Sequence, residues 1–420
     1  MNLCQFRQRL TDLGAKPCHA DRLLHGWLQL CSYDRKGSPA ETFFPAALRR
    51  ELAAIEAELA GLARLHGEYP ADAEVARLLV QLADGQMVES VLLPRGGLCI
   101  STQVGCAVGC VFCMSGRNGL LRQLSSLELV AQVVLARRRR AVSKVVFMGM
   151  GEPAHNLDNV LEAIDLLGTQ GGIGHKKLVL STVGDLRVFE RLMEGLPAVP
   201  NPSHPPLVRG GAGLVLSPHG RRMEPSPLPI RGDREGFSSG HASPPLKWFK
   251  QASRAADART RGGREGLSSE QAEQTSNFKV RPALALSLHT TDDALRARLL
   301  PNAPRIPVTE LVERCEEYAR ATGYPVQYQW TLIEGVNDND AELERVIELL
   351  SGKYAIMNFI PFNDVDGLDF RRPSPERLAR IVGTLKQRGI VTQLRDSAGQ
   401  EVEGACGQLR ARAERSLKRQ

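Results

Sequence analysis

The chain has 420 residues, of which 42% are hydrophobic and 24% charged, with a formal net charge of +7. That length and apolar content support one large domain or two to three ordinary ones, and exclude a disulfide-stapled miniature or a wholly disordered chain. No run of about 18 apolar residues occurs and the N-terminus lacks a signal pattern, so no membrane-spanning helix is expected and the protein reads as cytoplasmic.

In chain order, Leu48, Leu52, Ile55, Leu59 and Leu62 recur at steps of four and three, which is helical spacing. A β-hairpin follows at 79–93, turning at Asp84-Gly85. Residues 1–94 are therefore expected to form an accessory domain of helices and a hairpin. From Leu98 onward, short β-branched runs alternate with amphipathic stretches. Strands are predicted at 98–104, 144–150, 177–182, 282–289, 326–334 and 355–362, and helices at 125–138, 157–168, 185–194, 308–322, 340–351 and 374–388. This alternation predicts a parallel sheet covered by helices. Six units are too few for an eight-fold barrel, so residues 95–410 are expected to build a partial barrel or an open sheet. In both, function belongs at the carboxyl ends of the strands.

Residues 197–277 break the order. They hold eleven of the 25 prolines, and Arg231–Ser239 recurs as Arg261–Ser269 with seven of nine positions matching. Two copies are too few for a solenoid, and the composition cannot offset ordering entropy, so a disordered insertion is expected. Residues 411–420 are a short basic tail.

The nine cysteines are unevenly placed. Cys99, Cys106, Cys110 and Cys113 fall close together, Cys406 lies near the end, and Cys4, Cys18, Cys31 and Cys315 have no assigned role. Cys106-Ala-Val-Gly-Cys110-Val-Phe-Cys113 follows a predicted strand. Three thiolates on one loop can hold three irons of a [4Fe–4S] cluster, leaving the fourth iron for a small molecule with amine and carboxylate groups. Zinc is the alternative, but structural zinc takes four ligands, usually in two pairs, and no matching pair follows nearby. Met148-Gly-Met-Gly-Glu-Pro153 ends a later strand. Its small residues would let a ligand approach the backbone, and Glu152 could bond an amino group or simply sit near a helix N-terminus. Cys406 lies among small neighbours, which suits an accessible thiol, although a lone cysteine is usually a buried small hydrophobe.

The triplet after a first strand, with Phe112 before its third cysteine, resembles the radical S-adenosylmethionine (SAM) superfamily. Cys99–Cys106, the triplet, Met148–Pro153, Ser181–Gly184, Ser287–His289, Gly335–Asp338, Asn358–Asn363 and Ala405–Leu409 occur in one order. Together they resemble the RlmN/Cfr family of radical SAM RNA methyltransferases, over about residues 79–410. The resemblance implies a partial (β/α)6 radical SAM barrel, a [4Fe–4S] cluster on Cys106, Cys110 and Cys113, and SAM contacts from Gly151, Glu152, Ser181, Ser287, Leu288, His289 and Asn363. It implies that Cys406 carries a methyl group, that Cys99 later forms a transient disulfide with it, and that Glu89 accepts a proton. The substrate so implied is an adenosine carbon, C2 in most of the family, in ribosomal or transfer RNA, with an electron donor of flavodoxin or ferredoxin type. Basic side chains would hold the RNA backbone; the Arg137–Arg140 run is a candidate, or simply a helix end carrying cations. Residues 197–277 stand outside the family pattern, and Glu401-Val402 stands where Asp-Ile is usual. Another radical SAM enzyme explains the triplet but not Cys99, Cys406 and Glu89 together. A non-catalytic iron–sulfur RNA-binding protein leaves the SAM-like motifs idle.

Overall fold

The computed structural model describes residues 2–71, 74–196, 279–363, 368–395 and 408–410. The chain divides into two units, residues 1–199 with 276–420 and residues 200–275. The second unit, and all of the insertion expected at 197–277, lies outside the described residues. So do Cys406 and the tail 411–420.

The first unit opens with helices α1 (Leu3–Asp12), α2 (Pro17–Gln29), the single turn α3 (Ala40–Phe43) and α4 (Ala46–Gly61). Asn2 caps α1 in a reciprocal box with Gln5, which satisfies amides that the first helical turn leaves open. Strands β1 (Ala63–Pro70), β2 (Ala76–Leu82) and β3 (Met87–Leu93) follow. β2 and β3 are the expected hairpin, and Gly85 supplies the positive φ of its turn. β1 carries no clean alternation in its sequence: it is a mostly exposed edge strand, bulged between Leu65 and Gly67.

The rest of the unit runs β4 (Gly97–Cys99), the small antiparallel pair β5 (Gln103–Gly105) and β6 (Leu120–Gln123), α5 (Ser126–Arg137), β7 (Lys144–Phe147), α6 (Leu157–Thr169), β8 (Leu178–Thr182) and α7 (Leu186–Met193). After the undescribed segment come β9 (Ala283–Ser287), α8 (Asp293–Leu299), α9 (Val308–Thr322), β10 (Val326–Leu332), α10 (Asp340–Leu350), β11 (Ala355–Pro361), α11 (Pro375–Gln387) and β12 (Thr392–Leu394). Ten strands form one sheet in the order β1-β2-β3-β4-β7-β8-β9-β10-β11-β12. It is antiparallel from β1 to β4 and parallel from β4 to β12. The parallel part contains the six expected β/α units, finished by β12. The hairpin is no separate sheet, because β3 pairs directly with β4 and extends the parallel sheet at its first edge.

Strand alternation gives the sheet two distinct faces. Leu98, Phe147, Leu180, Leu286, Trp330 and Phe359 join the main core under the helices, where each fully buried side chain contributes about 1.5–3 kcal/mol. Cys99, Val146, Val179, Ala283 and Ala285 face the other way and form a second, smaller cluster with Val75 and Val91. The single strand expected at 98–104 is interrupted. Ser101 leaves the ladder to bond the buried side chain of Gln132, and its hydroxyl donates to the Glu89 carbonyl at 2.6 Å. Gln132, whose Oε1 also accepts from the Ser90 hydroxyl at 2.9 Å, thus ties α5 to both β3 and the end of β4.

The Arg137–Arg140 run is largely spent on structure. Arg137 donates to the carbonyls of Leu28 and Gly171, each at 2.7 Å. Arg139 pairs with Glu68, and Arg140 donates to the carbonyls of Glu74, Leu93 and Gly97. These cations clamp the end of α5 to the helical module and the hairpin, so only Arg138 is left exposed to solvent without such a bond among the described residues. Among the described residues no helix is long and apolar enough to cross a membrane.

Candidate functional site

Cys106, Cys110 and Cys113 sit on the loop that leaves β5. Gly105 fixes its start: with φ at +86°, a Cβ there would lie 2.1 Å from the Gly119 carbonyl. The loop is then held from the far side of the fold. Val111 N–H donates to Leu299 O at 3.1 Å, Asn302 N–H to Val108 O at 3.2 Å, and the Asn302 side chain to Ala107 O at 2.9 Å. Buried Val108 packs with Leu299, Leu300, Ile333 and Phe362 beneath it. Helix α8 and residue Asn302, which sequence periodicity does not reveal, are therefore the support of the cysteine loop.

Burial raises the pKa of all three thiols, and Cys113 adds to the rise at both Cys106 and Cys110. Burial pushes Cys106 up to about 12, with Cys113 and Glu152 adding to the rise. Cys110 is driven well above its ordinary value by burial and then by Cys113 and Cys106, and Cys113 is raised mainly by burial. One buried and two half-buried thiols that are costly to ionise alone are the donor set a polycationic group stabilises as thiolates. Among the described residues no three Cys, His, Asp or Glu side chains converge as ligands of a single metal ion. A cubane cluster does not require such convergence, since each thiolate takes a different iron. The residues present fit the cluster.

Around this loop lie the ends of the parallel strands. Gly149 and Gly151 follow β7 in close contact with residues 100–103: a Cβ on Gly149 would meet Ile100 O at 2.7 Å, and one on Gly151 would meet the Gln103 and Thr102 side chains at 2.7 Å. Their smallness serves this backbone packing, where the sequence suggested room for a ligand. Glu152 is buried, accepting from Thr182 Oγ1 at 2.6 Å, Ala154 N–H at 3.1 Å and Val183 N–H at 3.0 Å. Burial nevertheless raises its pKa to about 7, against the pull of those donors. Its own N–H donates to Gln103 Oε1 at 2.7 Å, so Gln103 and Thr182 position it. Neither carries a sequence signal beyond its place inside a motif.

Ser181 lies near the end of β8 and Ser287 ends β9, with buried Leu288 and His289 next. His289 has φ at +63°, and its ring lies against Phe112 with centroids 4.8 Å apart. Its Nδ1 accepts the Thr331 N–H at 3.0 Å, which puts the ring proton on Nε2. Burial lowers its pKa to about 3, leaving it neutral. Asn337 locks the turn, donating to the His289 carbonyl at 2.7 Å and the Thr331 carbonyl at 2.8 Å. Arg296 is buried beside Cys110 and Glu152, donating to the carbonyls of Val183 and Ser287, and burial lowers its pKa to about 10. Asn363 follows β11, half-buried.

The hairpin supplies the remaining groups. Glu89 is buried on β3, paired with Arg77 Nη1 at 3.3 Å, and its Oε1 accepts the Arg410 N–H at 3.0 Å. Cys99 stands opposite Val91 in the β3–β4 register, one inward position along from Glu89, and the Glu89 charge adds to the pKa rise of both Cys99 and Cys113. Cys99 lies on the inner face of β4, where burial drives its pKa to about 12. Glu89, Cys99 and the cysteine loop are thus brought together, and Arg410, four residues beyond Cys406 in sequence, binds Glu89. Cys406 itself lies outside the described residues.

Comparison with known proteins finds relatives over nearly the whole chain. Residues 100–201 match the model of the radical SAM superfamily. A probable RNA methyltransferase of Aromatoleum aromaticum is 53% identical over 98% of this chain and 93% of its own length. Another, of Pseudomonas aeruginosa, is 52% identical over 97% of this chain and 94% of its own. The crystal structure of a radical SAM methyltransferase from Sphaerobacter thermophilus superposes with a TM-score of 0.66 at 29% identity, covering 97% of both chains.

Proposed function

The chain belongs to the RlmN/Cfr family of radical SAM RNA methyltransferases, and from that premise we propose that it methylates an adenosine carbon, C2, in ribosomal or transfer RNA through a methyl-cysteine relay. The observation that carries this reading is the burial of Glu89 and Cys99 beside the Cys106–Cys113 loop, with the Arg410 amide on the same carboxylate. A radical SAM enzyme acting on another class of substrate has no need of a second buried thiol and a carboxylate at that point.

Cys106, Cys110 and Cys113 would hold a [4Fe–4S] cluster, which supplies the electron that opens SAM to a 5′-deoxyadenosyl radical. Gly151, Glu152, Ser181, Ser287, Leu288, His289 and Asn363 line the strand ends where SAM would sit. Cys406, as a thiolate, takes a methyl group from one SAM by displacement. C2 of adenine is electrophilic and cannot attack SAM directly; instead the 5′-deoxyadenosyl radical would take a hydrogen atom from the Cys406 S-methyl, and the resulting S–CH2 radical would add to C2, forming the new C–C bond. Glu89 accepts the proton lost from the adenine carbon. Cys99, as a thiolate, then attacks the Cys406 sulfur: the S–S bond forms as the S–CH2 bond breaks, the freed carbon takes a proton to become the methyl group, the surplus electron passes back to the oxidised donor, and two electrons from the reduced donor reopen the disulfide. A flavodoxin- or ferredoxin-type donor supplies the cluster's electron. The target base must leave its stack to reach so enclosed a site.

Protein expressed with Cys99→Ala is expected to carry a methyl adduct or a trapped RNA cross-link on the peptide containing Cys406, read by mass spectrometry. Nucleosides from a deletion strain should lack one 2-methyladenosine, whose position names the RNA. Neither adduct nor cross-link, together with unchanged nucleosides, would refute the relay.

A further inference from the structure

Asn358 lies in the middle of β11 and is completely buried, yet neither its Nδ2 nor its Oδ1 meets a hydrogen-bond partner among the described residues. Beside it in register on β10, buried Gln329 leaves its Nε2 equally unpartnered. Buried amides are almost always paired, because an unmade bond costs the group its hydration without return. Two such exceptions on neighbouring strands mark a place where another molecule supplies the missing atoms.

The strand alternation fixes where they face. Met357 and Phe359 belong to the helix-covered core, with Phe359 edge-on to Trp330, so Asn358 projects from the inner face of the sheet. Gln329 stands opposite both Asn358 and Ser287, and the three form one row across β11, β10 and β9. Ala285, the next inward residue along β9, is small and belongs to the inner-face cluster. The Gln329 carbonyl also accepts the N–H groups of Leu288 at 2.9 Å and His289 at 3.3 Å. The row is therefore built into the same strand ends as the candidate SAM contacts.

A carboxamide offers one donor and one acceptor side by side. That pattern pairs bidentately with the amino group of adenine and the ring nitrogen next to it. An anion would use the donors only, and an apolar group neither. We infer that Asn358, with Gln329 beside it, is an adenine-recognition point on the inner face of the barrel, taking the hydrogen-bonding edge of an adenine carried in by SAM or by the RNA. This rests on the functional reading above, in which both substrates contain that base.

The test uses the full-length, cluster-reconstituted enzyme with Asn358→Leu, which removes both polar atoms at similar size. If the partner is the cofactor's adenine, the Kd for SAM rises about tenfold or more while the KM for RNA from a deletion strain stays near wild type. If the partner is the target base, SAM affinity and S-adenosylhomocysteine formation are unchanged, and kcat/KM for that RNA falls about tenfold or more. An Asn358→Leu protein with normal iron content and both constants within about twofold of wild type overturns the inference, leaving a buried water as the amide's partner. Should that variant fail to load iron, Gln329→Met, which deletes only the orphaned donor's group, carries the same two expectations and the same refutation. A wild-type enzyme that yields no methylated adenosine would instead overturn the functional reading, so the two failures are distinguishable.

Discussion

His289 is held in a left-handed backbone conformation that few side chains adopt, and its surroundings over-determine it through the Asn337 bond and the Phe112 ring. Burial lowers its pKa from 6.5 to about 3. The unfolded chain therefore binds this proton below about pH 6.5 and the folded chain does not, so stability present above that pH is lost as pH falls towards about 3. The full slope is roughly 1.4 kcal/mol per pH unit. His289→Asn tolerates the same φ and cannot titrate, so urea unfolding at several pH values should show a flatter acid limb; an unaltered slope would assign the loss to another group. Glu152 acts with the opposite sign, since its raised pKa of about 7 means stability present below about pH 4.5 is lost as pH rises through 7. The Arg77–Glu89 pair is almost fully enclosed, at 3% and 1% side-chain exposure. Removing one partner from such a pair typically costs about 3–5 kcal/mol. Arg77→Met should therefore lower the unfolding free energy by about that much, and Arg77→Met/Glu89→Leu should recover part of it; a double-variant loss equal to the sum of the Arg77→Met and Glu89→Leu losses would mean the pair is not coupled. At this scale the cysteine loop and Glu152 stood out because each sits in a motif or at a fixed spacing, whereas Glu89 came only from the family resemblance. Gln103, Thr182, Arg296 and Asn302 did not stand out, because a residue that acts by hydrogen-bonding across the fold leaves no periodic trace.

At the level of elements, the strands and helices read from alternation and helical spacing recur in the structure with ends displaced by a few residues. β4 is the exception, cut short where Ser101 turns to bond Gln132. The elements that escaped reading are short or exposed. β12 and β6 have three and four residues, α8 has seven, and β1 is an edge strand with half its side chains in solvent. None buries enough alternating apolar surface to announce itself, and tertiary contacts decide them. Two of them nonetheless build the site: β6 pairs with β5 to aim Cys106, and α8 ends at Leu299, which anchors Val111. The β5–β6 pair depends on Gly105, whose φ and missing Cβ no other residue reproduces. Gly105→Ala should force the pair apart at a cost of about 2 kcal/mol or more and reduce the iron bound after anaerobic reconstitution well below that of the wild type. Normal iron content in the folded variant would show that the loop does not need the pair.

For the whole molecule, the +7 net charge pointed weakly to an anionic partner, and the insertion at 197–277 holds eleven Lys+Arg against seven Asp+Glu. More than half of the imbalance thus lies within residues 197–277, and the other residues together carry only about +3. The barrel shows how such an insertion is tolerated. Arg281, three residues past the undescribed segment, donates to the carbonyls of Leu192 and Glu194 just before it, so the two ends of the excursion are joined at its base. The strands it separates in sequence, β8 and β9, are in direct parallel register from Val179 to Thr182. A loop whose ends are already fixed by the fold adds only slowly to the closure entropy as it lengthens. Replacing residues 197–277 with a short Gly/Ser linker should therefore leave thermal stability, iron content and RNA methylation close to those of the full chain. If the shortened protein loses iron or unfolds earlier, the segment contributes packing to the barrel. If it keeps its iron but loses methylation, the segment instead takes part in holding RNA, and the activity cannot be confined to the strand ends.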